Sequence, residues 1–211
     1  MGRQKTVVIL GAGMLTGGAI IAAYAACSRR NPAACPYGQS LFLELPRPFV
    51  TRERLRQLLD PRPGERVLEV GPGRGYYALD VASRLRPGGT LDIFDVQQEM
   101  LDVTMRRAGE RGLPNIVPTQ GDAQALPYAD GAFDAAYLIA TLGEVPDQNA
   151  ALCELRRVLK QGGRLVVGEG LPDPHMIPFA RLRGRAEAAG LRDARRRGGR
   201  LGYVARFHLP S

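Results

Sequence analysis

Apolar residues follow two different spacings along the chain after residue 66, and each spacing predicts a different element. Short apolar runs bounded by glycine or proline predict strands, and apolar residues three or four positions apart predict helices. The predicted strands cover residues 67–70, 90–95, 115–118, 133–139 and 164–168. The predicted helices cover residues 76–85, 98–111, 149–160 and 181–190. Strands that alternate with helices are typical of an open parallel α/β sheet.

The C-terminal end departs from that alternation. Residues 191–196 and 201–207 both have strand patterns, and Gly198 and Gly199 separate them instead of a helix. A short connection that contains glycine joins antiparallel strands. The sheet is therefore predicted to end in two antiparallel strands.

The first thirty residues have a different pattern. Residues 7–27 contain no charged side chain, and their length of 21 residues is close to the roughly 20 that span a bilayer as a helix. Small residues four positions apart, such as Gly13 and Gly17, could pack against a second helix. We expect residues 1–30 to anchor the protein in a membrane and to allow self-association. A cleaved signal peptide is the alternative, since Ala23-Tyr24-Ala25 resembles a cleavage motif.

The next segment is predicted to connect the anchor to the α/β domain. Residues 31–50 hold four prolines and show no regular spacing, which predicts a linker on the substrate side of the domain. A helix is predicted at residues 51–59, where three leucines form an apolar stripe. The predicted organisation is thus an anchor at 1–30, a linker at 31–50 and a single domain at 51–211.

The composition adds a basic charge balance. The chain of 211 residues has 29 lysines and arginines against 21 aspartates and glutamates, which gives a formal net charge of +8. Arginines crowd the last quarter, where they could contact anionic lipid, bind nucleic acid or form a solvated surface. Nucleic acid is disfavoured because no aromatic residues are interleaved with these arginines for base stacking. A membrane surface is the expected partner.

The cysteines indicate neither a disulfide framework nor a zinc site. There are three of them, and none has the C-x-x-C spacing. We expect no metal, and a reduced compartment is the simplest fit.

A glycine turn after the first strand carries the strongest chemical signal. Gly71, Gly73 and Gly75 follow an apolar run directly, where the backbone must come close to a ligand. A pyrophosphate site would place its third glycine three positions after the second, whereas here the interval is two. This spacing suits a ligand without phosphate whose amino-acid portion lies over the turn. Glu69, at the end of the strand, could act indirectly on the ammonium group of that ligand.

Two further acids lie at the ends of predicted strands. Asp95 ends the second strand, 20 residues after Gly75, where a carboxylate can accept hydrogen bonds from both hydroxyls of a ribose. Asp122 follows the third strand between Gly121 and Ala123, and it could accept a hydrogen bond from the exocyclic amine of adenine. The three acids together predict an adenosine-containing ligand that carries an amino acid.

Five stretches of the chain resemble, in order, the motifs of class I S-adenosylmethionine (SAM)-dependent methyltransferases. They are residues 67–75, 94–100, 120–128, 133–144 and 155–165. The chain is most similar to the small enzymes that include ubiquinone, menaquinone and phospholipid methyltransferases. The resemblance implies a Rossmann-like sheet of seven mostly parallel strands with the last strand antiparallel. It also implies SAM as cofactor and S-adenosylhomocysteine as product.

The resemblance implies a set of cofactor-binding residues. These are Glu69, Gly71, Gly73, Gly75, Asp95, Val96, Gly121, Asp122, Ala123 and Ile139.

The candidate catalytic residues are His175, Glu144 and Tyr77. A histidine with a pKa near its ordinary value of about 6.5 could take a proton from an acceptor hydroxyl or amine. The chain departs from its relatives in the loop after the fourth strand, where Ala140 and Gly143 replace the acid and histidine that relatives often carry. Methyl transfer can also proceed without a base when the reacting atoms are well aligned.

The predicted function is transfer of a methyl group from SAM to a small, hydrophobic or membrane-associated acceptor, such as a quinone-like ring, a lipid or a specialised metabolite. We expect the catalytic domain to face the cytoplasm from a membrane anchor. RNA or protein methylation is one alternative. A SAM-binding protein without catalysis is another, because polar groups are missing after the fourth strand.

Overall fold

The computed structural model describes residues 48–210, which form an α/β domain around a seven-stranded sheet. The order of the strands in the sheet is β3-β2-β1-β4-β5-β7-β6, and β7 runs antiparallel to both of its neighbours. The predicted Rossmann-like sheet, mostly parallel with its last strand antiparallel, is confirmed. The strands are β1 Arg66–Val70, β2 Thr90–Asp95, β3 Ile116–Gln120, β4 Phe133–Ile139, β5 Leu159–Gly170, β6 Arg192–Gly199 and β7 Gly202–His208.

Helices cover both faces of the sheet, which is why the central strands are apolar on both sides. The helices are α1 Arg52–Leu59, α2 Ala78–Arg84, α3 Gln98–Glu110, α4 Gln148–Val158 and α5 Phe179–Ala188, with a 3₁₀ turn at Leu142–Glu144. The apolar faces of α1, α2 and α3 pack into one core cluster. Those of α4 and α5 pack into a second cluster on the opposite face. The predicted helical stripes therefore correspond to buried helix faces.

Two element boundaries differ from the sequence-based expectation. The helix after the glycine turn begins at Ala78 instead of residue 76, because Tyr76 and Tyr77 still belong to the turn. The fourth helix ends at Val158, and Leu159 already has extended backbone and pairs with Phe133. The register then shifts before Ala135, so the glycine segment at 161–163 is an irregular part of β5 and not a separate turn.

Phe49 and Val50, the last two residues of the predicted linker, pack on the sheet. A Cβ atom on Gly168 would lie 2.8 Å from Val50, and one on Gly202 would lie 2.3 Å from the Cβ of Phe49. Glycines in β5 and β7 therefore make room for the chain as it enters the domain. Thr51 then caps α1 by accepting a hydrogen bond from the Arg54 N–H, with 3.2 Å between the two atoms.

The predicted anchor, residues 1–30, and most of the predicted linker lie outside the described residues. In the described part of the chain, residues 48–210, no helix has the length and apolar composition to cross a bilayer.

A buried arginine joins the end of α1 to the sheet. Arg164 in β5 is 7% exposed, and its guanidinium forms a bidentate ion pair with Glu65 at 2.9 and 2.6 Å. The same guanidinium also donates to the carbonyl oxygens of Leu59 and Asp60. These carbonyls lie at the C-terminal end of α1, where helices leave acceptors unpaired. Arg164 therefore both closes the helix and holds it against the sheet.

We expect Arg164→Leu to lower the free energy of unfolding by about 3 kcal/mol, because it leaves Glu65 and two carbonyls without their buried partner. The matched control is Arg62→Leu, which removes an ion pair with Asp60 whose side chains are 66% and 53% exposed. This exposed pair should contribute less than about 1 kcal/mol. Urea denaturation of both variants measures the difference, and equal losses would contradict the role given to Arg164.

Candidate functional site

The glycine turn after β1 has a backbone that favours glycine. Gly71, Gly73 and Gly75 have φ angles of +74°, +55° and +80°, all in the left-handed region. At Gly71 space is also lacking, since a Cβ atom would lie 2.3 Å from the Oγ1 of Thr141. The Gly71 N–H donates to the carbonyl of Phe94 at 2.8 Å, which fixes the turn to the end of β2. The turn therefore leaves its backbone open to a ligand on one side while β2 and β4 crowd it on the other.

A cavity of about 280 Å³ opens beside this turn, at the carboxyl ends of β1, β2 and β4. β2 and β3 lie on one side of β1 in the sheet, and β4 and β5 lie on the other side. The strand order therefore reverses at β1, and open sheets bind ligands at the carboxyl edge of such a switch point. Ten predicted site residues line the cavity: Gly71, Gly73, Tyr77, Asp95, Val96, Gly121, Asp122, Ala123, Ile139 and Glu144. Glu69, Gly75 and His175 are not among the lining residues.

Asp95 is the most buried acid of the lining. It ends β2, is 9% exposed, and accepts a hydrogen bond from the Gln97 N–H on Oδ1 at 2.9 Å. Burial raises the pKa of this carboxyl to about 6, although backbone hydrogen bonds from Gln97 and Val96 oppose the shift. Asp95 is thus ionised at neutral pH and held in a fixed orientation toward the cavity.

Asp122 also lines the cavity, after the neighbouring strand β3, and has close polar contacts. Its carboxylate accepts a hydrogen bond from the backbone N–H of Gln124 at 2.9 Å. The side-chain amide nitrogen of Gln124 also donates to the two carboxylate oxygens, at 2.9 and 2.7 Å. The amide oxygen of Gln124 in turn accepts the Asp147 N–H at 3.0 Å. Gln124 therefore ties two loops at the rim together, a role that its sequence neighbourhood did not indicate.

Glu69 lies in the sheet below the cavity. Its side chain is 1% exposed, and Oε2 accepts a hydrogen bond from the Tyr137 hydroxyl at 2.7 Å. Burial raises the pKa of Glu69 to about 8; the Tyr137 hydrogen bond lowers it and the charge of Asp95 raises it further. At neutral pH this carboxyl is mostly protonated and joins β1 to β4, so it can influence a ligand only through the turn above it.

The three candidate catalytic residues occupy different positions. Glu144 lines the cavity from the 3₁₀ turn after β4. Tyr77 also lines the cavity, but its hydroxyl donates to the carbonyl of Val50 and the ring is 4% exposed. His175 lies in the loop after β5, where its backbone carbonyl would be 2.2 Å from a Cβ on Gly143. Its Nδ1 atom is buried without a hydrogen-bond partner in the described residues.

Two features at this edge had no clear sequence signal. Ala140 lines the cavity with a φ of +53°, a conformation that costs a non-glycine residue about 1 kcal/mol or more. Glu169 at the end of β5 is fully buried, and its Oε2 accepts the Ile177 N–H at 3.1 Å. Burial raises the pKa of Glu169 well above its usual range, and the nearby charges of Asp173 and Glu144 raise it further. Glu169 therefore secures the loop that carries His175.

Comparison with known proteins identifies the family. Residues 47–178, more than half of the chain, match the ubiE/COQ5 methyltransferase family. The chain belongs to the ubiE/COQ5 methyltransferase family.

The family relatives are longer than the region that matches. A demethylmenaquinone methyltransferase from Beutenbergia cavernae is 39% identical over 60% of this chain and 49% of its own length. A nocamycin O-methyltransferase from Saccharothrix syringae is 34% identical over 60% of this chain and 45% of its own length. The chain thus spans about half the length of the curated relatives it matches.

Solved structures support the fold of this ubiE/COQ5 family member. A SAM-dependent methyltransferase from Aquifex aeolicus superposes with a TM-score of 0.74 at 21% identity, covering 83% of this chain and 99% of that structure. The crystal structure of the [4+2]-cyclase SpnF superposes with a TM-score of 0.67 at 24% identity, covering 75% of this chain and 79% of that structure. Identities this low show the fold alone, and the similarity to a [4+2]-cyclase indicates that the fold is not confined to one named activity.

The buried carboxyl of Glu69 gives this family member a testable pH dependence. Glu69 stays protonated in the folded protein up to pH about 8 but ionises in the unfolded chain above about 4.5. The unfolded state therefore binds fewer protons between these values, and the fold loses about 1.4 kcal/mol per pH unit as pH rises. Glu69→Gln removes this loss, so its stability relative to the native protein should increase from pH 5 toward pH 8.

Unfolding free energies measured in urea at several pH values test this expectation. Asp95 titrates in both the native protein and Glu69→Gln, so the difference between their unfolding free energies reports on Glu69. Glu110→Gln, at the exposed end of α3, is the control. Its unfolding free energy should change with pH in the same way as that of the native protein. If the unfolding free energies of Glu69→Gln and of the native protein change equally with pH, Glu69 is not held protonated in the folded protein.

Proposed function

We propose that this protein transfers a methyl group from SAM to a small, hydrophobic or membrane-associated acceptor. The observation that carries the proposal is the pairing, across one cavity, of the left-handed turn at residues 71–75 with the buried carboxylate of Asp95. Membership of the ubiE/COQ5 methyltransferase family supports the reaction class.

The residues of the cavity fit SAM. Gly71 lines the cavity without a side chain, and a Cβ atom there would meet Thr141, so the turn offers its bare backbone to the amino-acid portion of the cofactor. Asp95 has the carboxylate that a ribose diol requires as acceptor, and Asp122 stands where an adenine amine could donate. Phe94, Met100 and Ile139 provide apolar walls for a flat purine ring. When bound, SAM supplies an electrophilic methyl group on a sulfonium and leaves as S-adenosylhomocysteine.

The acceptor is proposed to be a quinone-like ring, a lipid or a specialised metabolite. The names of the relatives support a small molecule, since one is a demethylmenaquinone methyltransferase and another a nocamycin O-methyltransferase. The uncharged segment at residues 7–27 supports a membrane-bound protein with its domain in the cytoplasm, where SAM is available, and self-association through that segment.

His175 is the proposed proton acceptor where the acceptor substrate needs one. A side chain at residue 143 would begin 2.9 Å from the Cβ of His175. Gly143 therefore makes room for the backbone of His175, and the side chain of His175 begins close to where a histidine at residue 143 would begin. Glu144, which lines the cavity beside it, is the second candidate for holding or receiving a proton.

Two alternatives rest on specific observations. SAM binding without methyl transfer is one, since the fold is shared with a [4+2]-cyclase. RNA or protein methylation is the other, and the arginines of β6 are the feature that favours it.

SAM binding should depend on the protonation of Asp95. Since its pKa is about 6, the affinity should be constant above pH 7 and fall by up to tenfold per pH unit below 6, where the carboxyl loses its charge. Asp95→Asn should bind SAM about 10- to 100-fold more weakly at pH 8 and lose this pH dependence. Titration calorimetry across pH measures both effects.

Asp102→Asn, an exposed substitution on α3, is the matched control for Asp95→Asn and should bind like the native protein. An Asp95→Asn variant with native affinity and native pH dependence would rule out ribose binding by this carboxylate.

The proposed reaction is tested with methyl-labelled SAM and an extract of the source cells, separated into lipid, aqueous and macromolecular fractions. We expect label in a lipid-soluble product. Gly71→Ala should abolish this label, because alanine meets Thr141 at 2.3 Å in a left-handed conformation. Gly184→Ala is the matched control, since a Cβ there has nothing within 4 Å, and it should keep full activity.

Each outcome of the labelling experiment has a distinct meaning. Label confined to macromolecules would favour RNA or protein methylation. SAM binding with no label in any fraction would favour the non-catalytic alternative. Thermal unfolding of Gly71→Ala separates a blocked site from a failure to fold, and Asp95→Asn provides a second variant with an unstrained backbone.

A further inference from the structure

An apolar pair lies on the surface at the carboxyl edge of the sheet. Leu171 follows β5 directly and Leu201 precedes β7, and the Leu171 N–H donates to the Leu201 carbonyl at 2.9 Å. Their side chains are 44% and 53% exposed, which makes them half of the four exposed large hydrophobic residues found within residues 48–210. Two adjacent exposed leucines form a small patch, unlike an apolar residue scattered singly on a surface.

Arginines flank this pair. Residues 192–200 contain five arginines and one aspartate, and Arg197 and Arg200 are exposed on β6 and in the turn before Leu201. Among the described residues, no ion pair joins either arginine to an acidic side chain. Exposed apolar side chains beside uncompensated positive charge are the combination that binds an anionic bilayer surface.

The chain enters the domain at the same place. Phe49 packs over Gly202, the residue after Leu201, and residues 48–50 are the first that the structure describes. The connection from the uncharged segment at residues 7–27 therefore reaches the domain beside the leucine pair.

The patch and the cavity share one edge of the sheet. The cavity lies at the carboxyl ends of β1, β2 and β4, and β5 and β7 are the next two strands beyond β4. At about 4.8 Å per strand, Leu201 is about 10 Å along this edge from the end of β4. A surface that contacts the patch would therefore face the edge into which the cavity opens.

We propose that Leu171, Leu201, Arg197 and Arg200 form a docking face that rests on the anionic surface of a membrane. The contact turns the carboxyl edge of the sheet toward the bilayer, so that an apolar acceptor could reach the cavity without crossing water. Only this last consequence rests on the proposed methyl transfer. Membrane docking is measured without SAM or acceptor, so its failure and that of the proposed reaction are distinguishable.

The native sequence contains no tryptophan, so one introduced indole reports on a single position. Leu201→Trp in the full chain is mixed with vesicles of phosphatidylglycerol and phosphatidylcholine, with and without brominated acyl chains. We expect the indole emission to shift to the blue and to be quenched by the brominated lipid. The matched control is Val117→Trp, which is 45% exposed on β3 and about 24 Å away across five strand spacings. Its emission should not change.

The charge requirement is tested in the Leu201→Trp background. Arg197→Gln with Arg200→Gln should lower the ratio of docked to undocked domain, read from the fraction of indole emission quenched at saturating lipid, by about fivefold for each arginine removed. Arg106→Gln with Arg111→Gln, two exposed arginines at the far end of the sheet, should leave it unchanged. Pure phosphatidylcholine vesicles should bring little quenching at the Leu201→Trp indole.

Several results would overturn the docking face. Equal quenching at both indoles would mean that the apolar N-terminal segment tethers the domain without orienting it. A blue shift that depends on protein concentration and needs no vesicles would assign the patch to a second copy of the chain. A shift with RNA but not with vesicles would assign it to nucleic acid, and equal quenching on neutral and anionic vesicles would remove the role of the arginines.

Discussion

A parallel sheet brings the carboxyl ends of its strands to one edge, and the site of this protein depends on that constraint. The chain runs from β1 to β2 on one side and to β4 on the other, so the loops after these strands diverge and leave a cavity between them. The turn after β1 has to pass under Thr141 without a side chain, which restricts residue 71 to glycine. The geometry of the cavity is therefore a consequence of strand order combined with the absence of a Cβ atom at residue 71.

The same edge contains several carboxyl groups that differ in solvation, and this difference separates their roles. Glu69 and Glu169 are fully buried and pair with groups of the protein itself, so desolvation raises their pKa values and favours the neutral form. Asp95 is buried less completely and faces the cavity, so its carboxyl is ionised at neutral pH. Two of these acids thus hold the scaffold of the site, while the third is available to a ligand.

The loops after β4 and β5 meet at a glycine. A Cβ atom on Gly143 would lie 2.2 Å from the carbonyl oxygen of His175, so the loop after β5 occupies the space that a side chain at residue 143 would need. Glu169 secures that loop through Ile177, which keeps His175 beside Gly143. The position of His175 next to the loop after β4 is therefore set by a contact between the loops that follow two different strands.

The sequence by itself determined the alternation of strands and helices, the closing antiparallel pair and ten of the residues that line the cavity. These features depend on local periodicity and on glycine and acidic residues at strand ends, which act through short-range geometry. Only the tertiary structure decided the state of Glu69, the hydrogen bond that engages the Tyr77 hydroxyl, the loss of the glycine turn before β5 and the meeting of Gly143 with His175. Each of these depends on contacts between residues far apart in the chain, where desolvation and steric exclusion have no signature in local sequence.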